Sequence, residues 1–204
     1  MYGVLTVDPP KPLTLEDVPF WRLSVDEYLE WVRTGRFTAE DHVELLHGWV
    51  VNKVTKNQPH VICSNLCNRV FARLIPANWF VSIEQPIATA DSVPEPDVTI
   101  VRGNPRDDAE RPTPPGKIGL VIEIADSTLA TDRRIKLQVY AAAKIAPYWI
   151  INLNERQIEV YVEPFDRDGM SSYRAYRIYT DADAIPFVLD GAEIAQIPVA
   201  ELLP

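Results

Sequence analysis

A strongly apolar stretch in the middle of the chain reads IGLVIEI over Ile118–Ile124. Such a run, with apolar side chains on both faces, is typical of a strand that is buried inside a sheet. Its only charged residue is Glu123, and burial of a lone carboxylate is costly unless a cation or hydrogen-bond donors accompany it. The side chains expected on the same face as Glu123 are small or medium in size: Gly119, Val121 and Ala125. We therefore expect room for a ligand above this face.

A second strand candidate, residues 97–101, starts with Asp97. If this strand pairs antiparallel with Ile118–Ile124 and Asp97 faces Glu123, the apolar side chains of both strands fall on the opposite face. This register predicts two further cross-strand pairs: Thr99 with Val121 and Val101 with Gly119. It also predicts one continuous apolar face: Val98, Ile100, Leu120, Ile122 and Ile124. The two carboxylates then lie at one end of the strand pair.

The pairing of Asp97 with Glu123 predicts a metal site. Directly opposed residues have Cβ atoms ~4.5–5.5 Å apart, and two carboxylates at that distance repel each other unless a cation lies between them. Carboxylate oxygens suit Mg²⁺, and Mn²⁺ is the other option. The alternative interpretation is structural. In that case Asp97 is a solvated strand start, and Glu123 lies in water near a strand end or pairs with an arginine.

A helix predicted from about residue 131 to 144 follows the strand that contains Glu123. Asp132, Lys136 and Tyr140 are spaced four residues apart and therefore share one helix face. The connection is short, so the first turns of the helix should lie near the end of that strand. An ammonium group at Lys136 could stabilise negative charge on a phosphoryl group or orient an attacking water. The alternative is that Lys136 belongs to a solvated basic face.

Helices and strands alternate in the rest of the chain, an order that favours an α/β or α+β protein. The predicted elements are a helix opened by a capping box at 24–27, a hairpin over 43–51, a helix over 57–74, and strands over 79–87, 148–151, 157–163 and 173–180. In the helix over 57–74 the apolar stripe is expected at Ile62, Leu66, Val70 and Leu74. The tail, residues 181–204, is predicted to be irregular with one last helical turn.

Length and composition set the class of protein. With 204 residues, 47% hydrophobic and 24% charged, the chain is expected to form one globular domain over residues 21–204, preceded by a Pro-rich arm over residues 1–20. No run of ~18 apolar residues is present, so no membrane span is predicted. Two cysteines without an export signal indicate the cytoplasm. The net charge of −9 argues against a general basic footprint for nucleic acid, so any such claim depends on a local site.

Two other kinds of site have little support. His60, Cys63 and Cys67 share a helix face, but His60 and Cys67 are ~10 Å apart along the helix axis, too far to share one zinc ion. We expect the two thiols to pack as small hydrophobic groups. The chain contains no GxGxxG or Walker-type loop and no GxSxG motif, so neither a nucleotide cofactor nor a serine nucleophile is predicted.

An ordered set of motifs resembles the Uma-two family, a bacterial domain family of the PD-(D/E)xK nuclease superfamily. The motifs that carry the resemblance are Pro96-Asp97-Val98, LVIEIA over Leu120–Ala125, Asp132 with Lys136 and Tyr140, PYWI over Pro147–Ile150, and, upstream, ELLHG over Glu44–Gly48 and His60. The resemblance implies a restriction-endonuclease-like α/β core, with a mixed central sheet flanked by helices and extra antiparallel hairpins. It also implies magnesium-dependent cleavage of phosphodiester bonds.

The same resemblance assigns roles to individual residues. Asp97 and Glu123 would be the metal ligands. The lysine that the superfamily pattern places two residues after the glutamate is absent, because that position is Ala125. Lys136, on the following helix, would be the catalytic lysine instead. Three further residues are accessory candidates: Glu44, His60 and Tyr140.

Three hypotheses follow from the sequence. The first is a metal-dependent endonuclease that cuts DNA, as a homodimer because the two strands of a duplex need two sites or two visits. The second is a catalytically inactive nuclease-fold protein that serves as a binding or interaction module, in which the acids have a structural role. The third is a metal-dependent hydrolase of another phosphoester.

Overall fold

The structure, a computed structural model, describes residues 20–107 and 109–204. The predicted arm over residues 1–20 lies outside the described residues except for its last position, and the single domain over 21–204 stays a prediction. The helices are α1 (Val25–Arg33), α2 (Gln58–Leu74), α3 (Leu129–Thr131) and α4 (Leu137–Ala142), with a π-helical turn, Asp132–Lys136, between the last two. The strands are β1 (Val43–Leu46), β2 (Trp49–Asn52), β3 (Trp79–Ile83), β4 (Val98–Arg102), β5 (Ile118–Ala125), β6 (Tyr148–Asn152), β7 (Gln157–Arg167), β8 (Met170–Thr180), β9 (Ala184–Leu189) and β10 (Ala192–Pro198).

A six-stranded mixed sheet forms the centre of the molecule, in the order β3-β4-β5-β6-β7-β8. Strands β5 and β6 are parallel, and the other neighbouring pairs are antiparallel. Helix α4 and the π-helical turn belong to the crossover between the two parallel strands, as a parallel pair requires. The hairpins β1–β2 and β9–β10 form separate two-stranded sheets. This arrangement confirms the predicted α/β fold with a mixed central sheet, flanking helices and extra hairpins.

The predicted register between β4 and β5 is confirmed over most of its length. Val98 pairs with Ile122 and Thr99 with Val121, but Val101 pairs with Ile118 because a bulge follows Ile100. The bulge leaves Gly119 as the extra residue of β5 and reverses the alternation of side chains there.

The room that we expected above Gly119 is therefore absent. A Cβ atom at Gly119 would lie 2.5 Å from Trp79 Cζ3 and 2.7 Å from Leu189 Cδ2, so both side chains fill that space. Only glycine allows this close approach. The open space near Glu123 lies instead at the other end of β5.

Each face of the sheet buries its own apolar cluster. On one face the strands pack against α2 and the β9–β10 hairpin through Val98, Ile100, Leu120, Ile122, Ile124, Trp149, Cys63, Cys67, Val70, Phe71, Ile185 and Phe187. On the other face they pack against α4 through Val121, Ala125, Tyr148, Ile150, Leu137, Val139, Tyr140 and Ala141. Glu123 lies two residues from Val121 and from Ala125 along β5, so its side chain shares their face of the sheet and points toward α4.

Two elements differ from the sequence prediction on the α2 face. Helix α2 buries Cys63, Cys67 and Phe71, whereas Ile62 is 40% exposed, because the buried face follows a mixed three- and four-residue spacing rather than a strict four-residue one. Both thiols are buried and free, as expected. The tail is not irregular: residues 184–198 form the β9–β10 hairpin, and only the last turn at Val199–Glu201 agrees with the prediction.

The helix after β5 begins earlier than predicted. It starts at Leu129. Thr128, the residue before it, donates a 2.7 Å hydrogen bond from its Oγ1 atom to Asp132 Oδ2. The π-helical turn inserts one extra residue per turn at the point where Asp132 and Lys136 face the sheet. Within residues 20–107 and 109–204, no helix is long and apolar enough to cross a membrane.

Candidate active site

Glu123 is a deeply buried carboxylate of the site. It is 3% exposed, and its Oε1 atom accepts hydrogen bonds from Lys136 Nζ at 2.9 Å and from Tyr140 OH at 2.6 Å. Both donors come from the helical segment that covers the β5–β6 face. Burial raises the pKa of Glu123 well above its usual value, and neighbouring carboxylates add to the shift while Lys136 opposes it. Both bonds go to Oε1, which leaves Oε2 to a further ligand.

Lys136 connects Glu123 with a second acid from a distant part of the chain. Its ammonium lies 2.9 Å from Glu123 Oε1 and 3.4 Å from Glu44 Oε2. Glu44 is buried in β1, and its Oε2 also accepts a 3.0 Å bond from the Glu95 backbone N–H. Burial alone would lower the pKa of Lys136, but the charges of Glu123 and Glu44 outweigh it and raise the pKa, so the ammonium stays protonated.

Asp97 precedes β4 and is 6% exposed. Its Oδ2 accepts hydrogen bonds from the Ile124 backbone N–H at 2.8 Å and from His60 Nε2 at 3.1 Å. Its Oδ1 lies 2.9 Å from Lys56 Nζ. Burial would raise the pKa of Asp97, but the bond from His60 and the nearby positive charges lower it to about 2. The bond from Ile124, which follows Glu123 in β5, therefore holds Asp97 beside Glu123.

Asp132 adds a fourth buried carboxylate. It is 2% exposed and accepts the bond from Thr128 Oγ1. Burial and the charges of Asp97 and Glu44 raise the pKa of Asp132 to about 6, against the opposing effects of Lys136 and of the bond from Thr128. Asp132 therefore belongs to the same buried cluster of interacting charges as Lys136, Asp97 and Glu44.

The predicted site residues line one cleft with a volume of about 550 Å³. Among the residues that the structure describes, its lining holds seven carboxylates: Glu44, Glu84, Glu95, Asp97, Glu123, Asp126 and Asp132. The same part of the lining holds three ammonium groups: Lys53, Lys56 and Lys136. His60 also lines the cleft, whereas the buried Tyr140 contacts it only through Glu123.

This donor set fits a divalent cation. An excess of carboxylates is what a bound Mg²⁺ or Mn²⁺ would offset, and such an ion turns an acidic cleft into one that attracts phosphate. In the described part of the chain, no three His, Cys, Asp or Glu side chains converge closely enough to hold an ion by themselves. Mg²⁺ does not require that, because it is commonly held by one or two carboxylates together with water and substrate phosphates. Asp97 and Glu123 are the residues that could hold it.

Sequence reasoning missed Lys56, although this lysine contacts a predicted ligand. Lys56 bridges Asp97 Oδ1 and Glu84 Oε1, both at 2.9 Å. It lies in the loop just before the N-cap Asn57, where no periodicity indicates which way a side chain points. The only signal in the sequence was that Lys56 lies four residues before His60, which also contacts Asp97. A four-residue spacing places two side chains together only inside a helix, and Lys56 lies before the helix begins.

The fold is that of an α/β protein with a mixed central sheet, and a solved structure shares it. The chain is similar in structure to a crystal structure at 1.96 Å resolution described as a "putative nuclease belonging to DUF820" from Anabaena variabilis ATCC 29413. The two are 16% identical with a TM-score of 0.65, over 88% of this chain and 97% of that one. At this level of identity the similarity shows the fold.

The family follows from the sequence match. The family model described as "Uma2: Putative restriction endonuclease" matches residues 25–196, and the chain belongs to this family. The match confirms the family resemblance predicted from the ordered motifs. No curated protein matches the chain.

Proposed function

We propose that the protein is a magnesium-dependent endonuclease that hydrolyses phosphodiester bonds of DNA, with Mn²⁺ able to replace Mg²⁺. The observation that supports this most strongly is that Asp97, Glu123 and Lys136, from three separate elements, line one cleft. Membership of a family described as restriction endonucleases supports DNA as the substrate.

Asp97 and Glu123 would hold the metal ion, whose contribution is to polarise the phosphodiester and to acidify a bound water. Lys136 offsets the negative charge that develops on the phosphoryl oxygens, since its ammonium is buried, protonated and fixed between two carboxylates. Glu44 holds Lys136 from the β1 side, and Tyr140 fixes the orientation of Glu123 through the 2.6 Å bond to Oε1. His60 fixes Asp97 in the same way through Oδ2.

Assembly and compartment belong to the same proposal. A homodimer would present two clefts to the two strands of a duplex. The free, buried state of Cys63 and Cys67 suits the reducing cytoplasm.

The proposal is tested with supercoiled plasmid incubated with the protein and Mg²⁺, Mn²⁺ or EDTA. We expect nicking that requires metal and that falls at least about 100-fold in Asp97→Asn, as is usual when a residue central to transition-state stabilisation is removed. Asp126→Asn is the matched control, because Asp126 lines the same cleft without contacting Lys136 or Glu123. Nicking in EDTA, or equal nicking by Asp97→Asn and wild type, contradicts the proposal.

One observation favours the second candidate, a catalytically inactive binding protein. Each proposed ligand already contacts a lysine, Asp97 with Lys56 and Glu123 with Lys136, so the acids are partly neutralised without metal. This candidate predicts no nicking with any metal and no heat of Mn²⁺ binding in calorimetry. Measurable Mn²⁺ binding that Asp97→Asn abolishes would exclude it.

A further inference from the structure

Lys56 and Lys136 occupy equivalent positions on the two proposed metal ligands. Each ammonium bridges one proposed ligand and one further carboxylate, Lys56 joining Asp97 to Glu84 and Lys136 joining Glu123 to Glu44. The two lysines differ in accessibility. The Lys136 side chain is 9% exposed, whereas the Lys56 side chain is 33% exposed at the mouth of the cleft.

Asp97 does not depend on Lys56 for its position. Its Oδ2 atom is held by the Ile124 backbone N–H and by His60 Nε2, which both belong to packed elements. Lys56 contacts the other oxygen, Oδ1, and both residues line the cleft. If Lys56 moves away, Oδ1 is exposed to the cleft while the carboxylate stays in place.

A divalent cation and the Lys56 ammonium therefore compete for the same oxygen. A cation bound to Oδ1 and an ammonium 2.9 Å from the same atom would lie so close together that their positive charges repel each other. Lys56 has a second partner, Glu84, whose side chain is 47% exposed and lies on the solvent side. The lysine can thus leave Asp97 without losing every counter-charge.

We propose that Lys56 is an internal counter-ion of the metal-free site, which neutralises Asp97, competes with the divalent cation for Oδ1 and so sets the metal affinity of the cleft. This inference rests on the proposed function, because it assumes that Asp97 is a metal ligand. In this role Lys56 acts on the metal site through Asp97, so it is a positioning residue and not a catalytic residue.

The test measures Mn²⁺ binding by isothermal titration calorimetry on the full chain. Lys56→Met removes the charge and keeps the length of the side chain, and Lys56→Gln repeats the test with a polar side chain. We expect both to bind Mn²⁺ about tenfold more tightly than wild type, because in wild type the metal must first displace the Lys56 ammonium from Asp97. A factor of ten corresponds to ~1.4 kcal/mol, which lies between the values for exposed and for buried ion pairs. Lys56→Arg, which keeps the charge, should leave the affinity near that of wild type.

Lys53→Met is the matched control. Lys53 lies in the same loop, lines the same cleft and forms a 2.7 Å ion pair with Glu95, but it has no contact with Asp97. Its removal subtracts the same charge from the cleft, so any tightening in this control measures the general electrostatic effect. We expect that effect to be less than about threefold, since it acts over a longer distance through partly exposed groups.

A second readout is the melting temperature of the protein with and without metal. Without metal, Lys56→Met should melt at a lower temperature than wild type, because Asp97 has lost a neighbouring charge. With saturating Mn²⁺ the difference should disappear, so the metal-induced rise in melting temperature is larger in the variant.

The outcomes separate the two proposals. If wild type binds Mn²⁺ and Lys56→Met binds no more tightly than Lys53→Met, the inference about Lys56 is wrong and the proposed function stands. If neither wild type nor any Lys56 variant binds Mn²⁺, both are wrong. Binding by Lys56→Met and Lys56→Gln that exceeds the binding of both wild type and Lys53→Met, including binding where those two show none, supports the inference.

Discussion

Two carboxylates on the same face of the central sheet have similar neighbours but opposite pKa shifts. Glu123 of β5 and Glu159 of β7 both align with Ile150 of the intervening strand β6, so they lie in one row across the sheet. Each is buried, each accepts a bond from a tyrosine, and each meets a cation from the same π-helical turn, Lys136 for Glu123 and Arg133 for Glu159.

The two pairs differ in how completely they are satisfied. Arg133 contacts both oxygens of Glu159, at 2.5–3.1 Å, and Tyr161 OH donates to Oε2 at 2.7 Å. Burial would raise the pKa of Glu159, but these bonds outweigh it and lower the pKa. At Glu123 both donors share Oε1, other carboxylates are close, and the pKa is raised.

This difference distinguishes a structural ion pair, Glu159 with Arg133, from a candidate metal ligand, Glu123. A carboxylate whose two oxygens are both paired by an arginine has no capacity left for a ligand. A carboxylate with one paired oxygen, among an excess of acids that line a cleft, gains from a further cation. A cation contact alone therefore does not identify a functional carboxylate in this protein.

The largest expected effect concerns cleavage by Glu123→Gln and Glu159→Gln. Glu123→Gln should lower the rate of plasmid nicking in Mn²⁺ by at least about 100-fold, because an amide binds a divalent cation poorly. Glu159→Gln should keep the rate within a few-fold of wild type, since Glu159 does not line the cleft. Equal losses in the two variants would mean that the two carboxylates have the same role.

The stability of the same variants should show the reverse order. Glu159→Gln should lower the free energy of unfolding by about 1–3 kcal/mol, because it weakens several hydrogen bonds between charged groups. Glu123→Gln should lower it by less, because it also relieves repulsion from neighbouring carboxylates. Urea denaturation at neutral pH without metal measures both. A greater loss in Glu123→Gln would show that Lys136 satisfies Glu123 better than its contacts indicate.

The two tyrosines sharpen the comparison. Tyr140→Phe removes the 2.6 Å bond to Glu123 and should reduce nicking about tenfold, since a hydrogen bond to a charged group contributes ~1.5–3 kcal/mol and part of that is recovered by relaxation. Tyr161→Phe removes the equivalent bond to Glu159 and should leave nicking unchanged. Rates at saturating Mn²⁺ test this, and a loss in Tyr161→Phe alone would contradict it.

The smallest effect is a difference in pH dependence. The pKa of Glu159 is lower in the folded protein than its ordinary value of 4.5, so its ionised form contributes stability that is complete above pH 4.5 and is lost as the pH falls through the folded value. The pKa of Glu123 is raised, so stability from its protonated form is complete below pH 4.5 and is lost as the pH rises through the folded value.

Relative to wild type, Glu159→Gln should thus become less destabilised as the pH falls below 4.5, and Glu123→Gln should become less destabilised as the pH rises above it. Urea denaturation of the metal-free variants over this range provides the measurement. Parallel curves for the two variants would show that the two sites do not differ in charge balance.

Much of the core could be predicted because its determinants are local. The apolar run around Glu123 defined a buried strand, and its alternation with residues 98–100 set the register with β4. Helix spacing placed Lys136 and Tyr140 on one face, and both donate to Glu123. The bulge at Gly119 could not be predicted, because it depends on Trp79 and Leu189, which reach that position from elsewhere in the fold.

The errors share one cause. The β9–β10 hairpin was missed because its buried residues Ile185, Phe187 and Leu189 gain their burial only against α2 and the sheet. Lys56 was missed because its loop has no periodic structure. In each case the decisive contacts are made with elements that are distant in the chain.

The cost of burying a carboxylate and the periodicity of strands and helices can be evaluated within one or two neighbouring elements. The sequence was therefore sufficient to single out Asp97, Glu123 and Lys136 as candidates. The pairing of cations with carboxylates was decided only by tertiary packing. Arg133 and Lys136 are three residues apart on one helical turn, yet they reach different strands, because the sheet beneath them fixes the distance and direction to each acid. Which carboxylate lines the cleft and which is closed off is therefore a property of the folded chain, since hydrogen bonds and charge interactions act over a few ångströms of space regardless of separation in sequence.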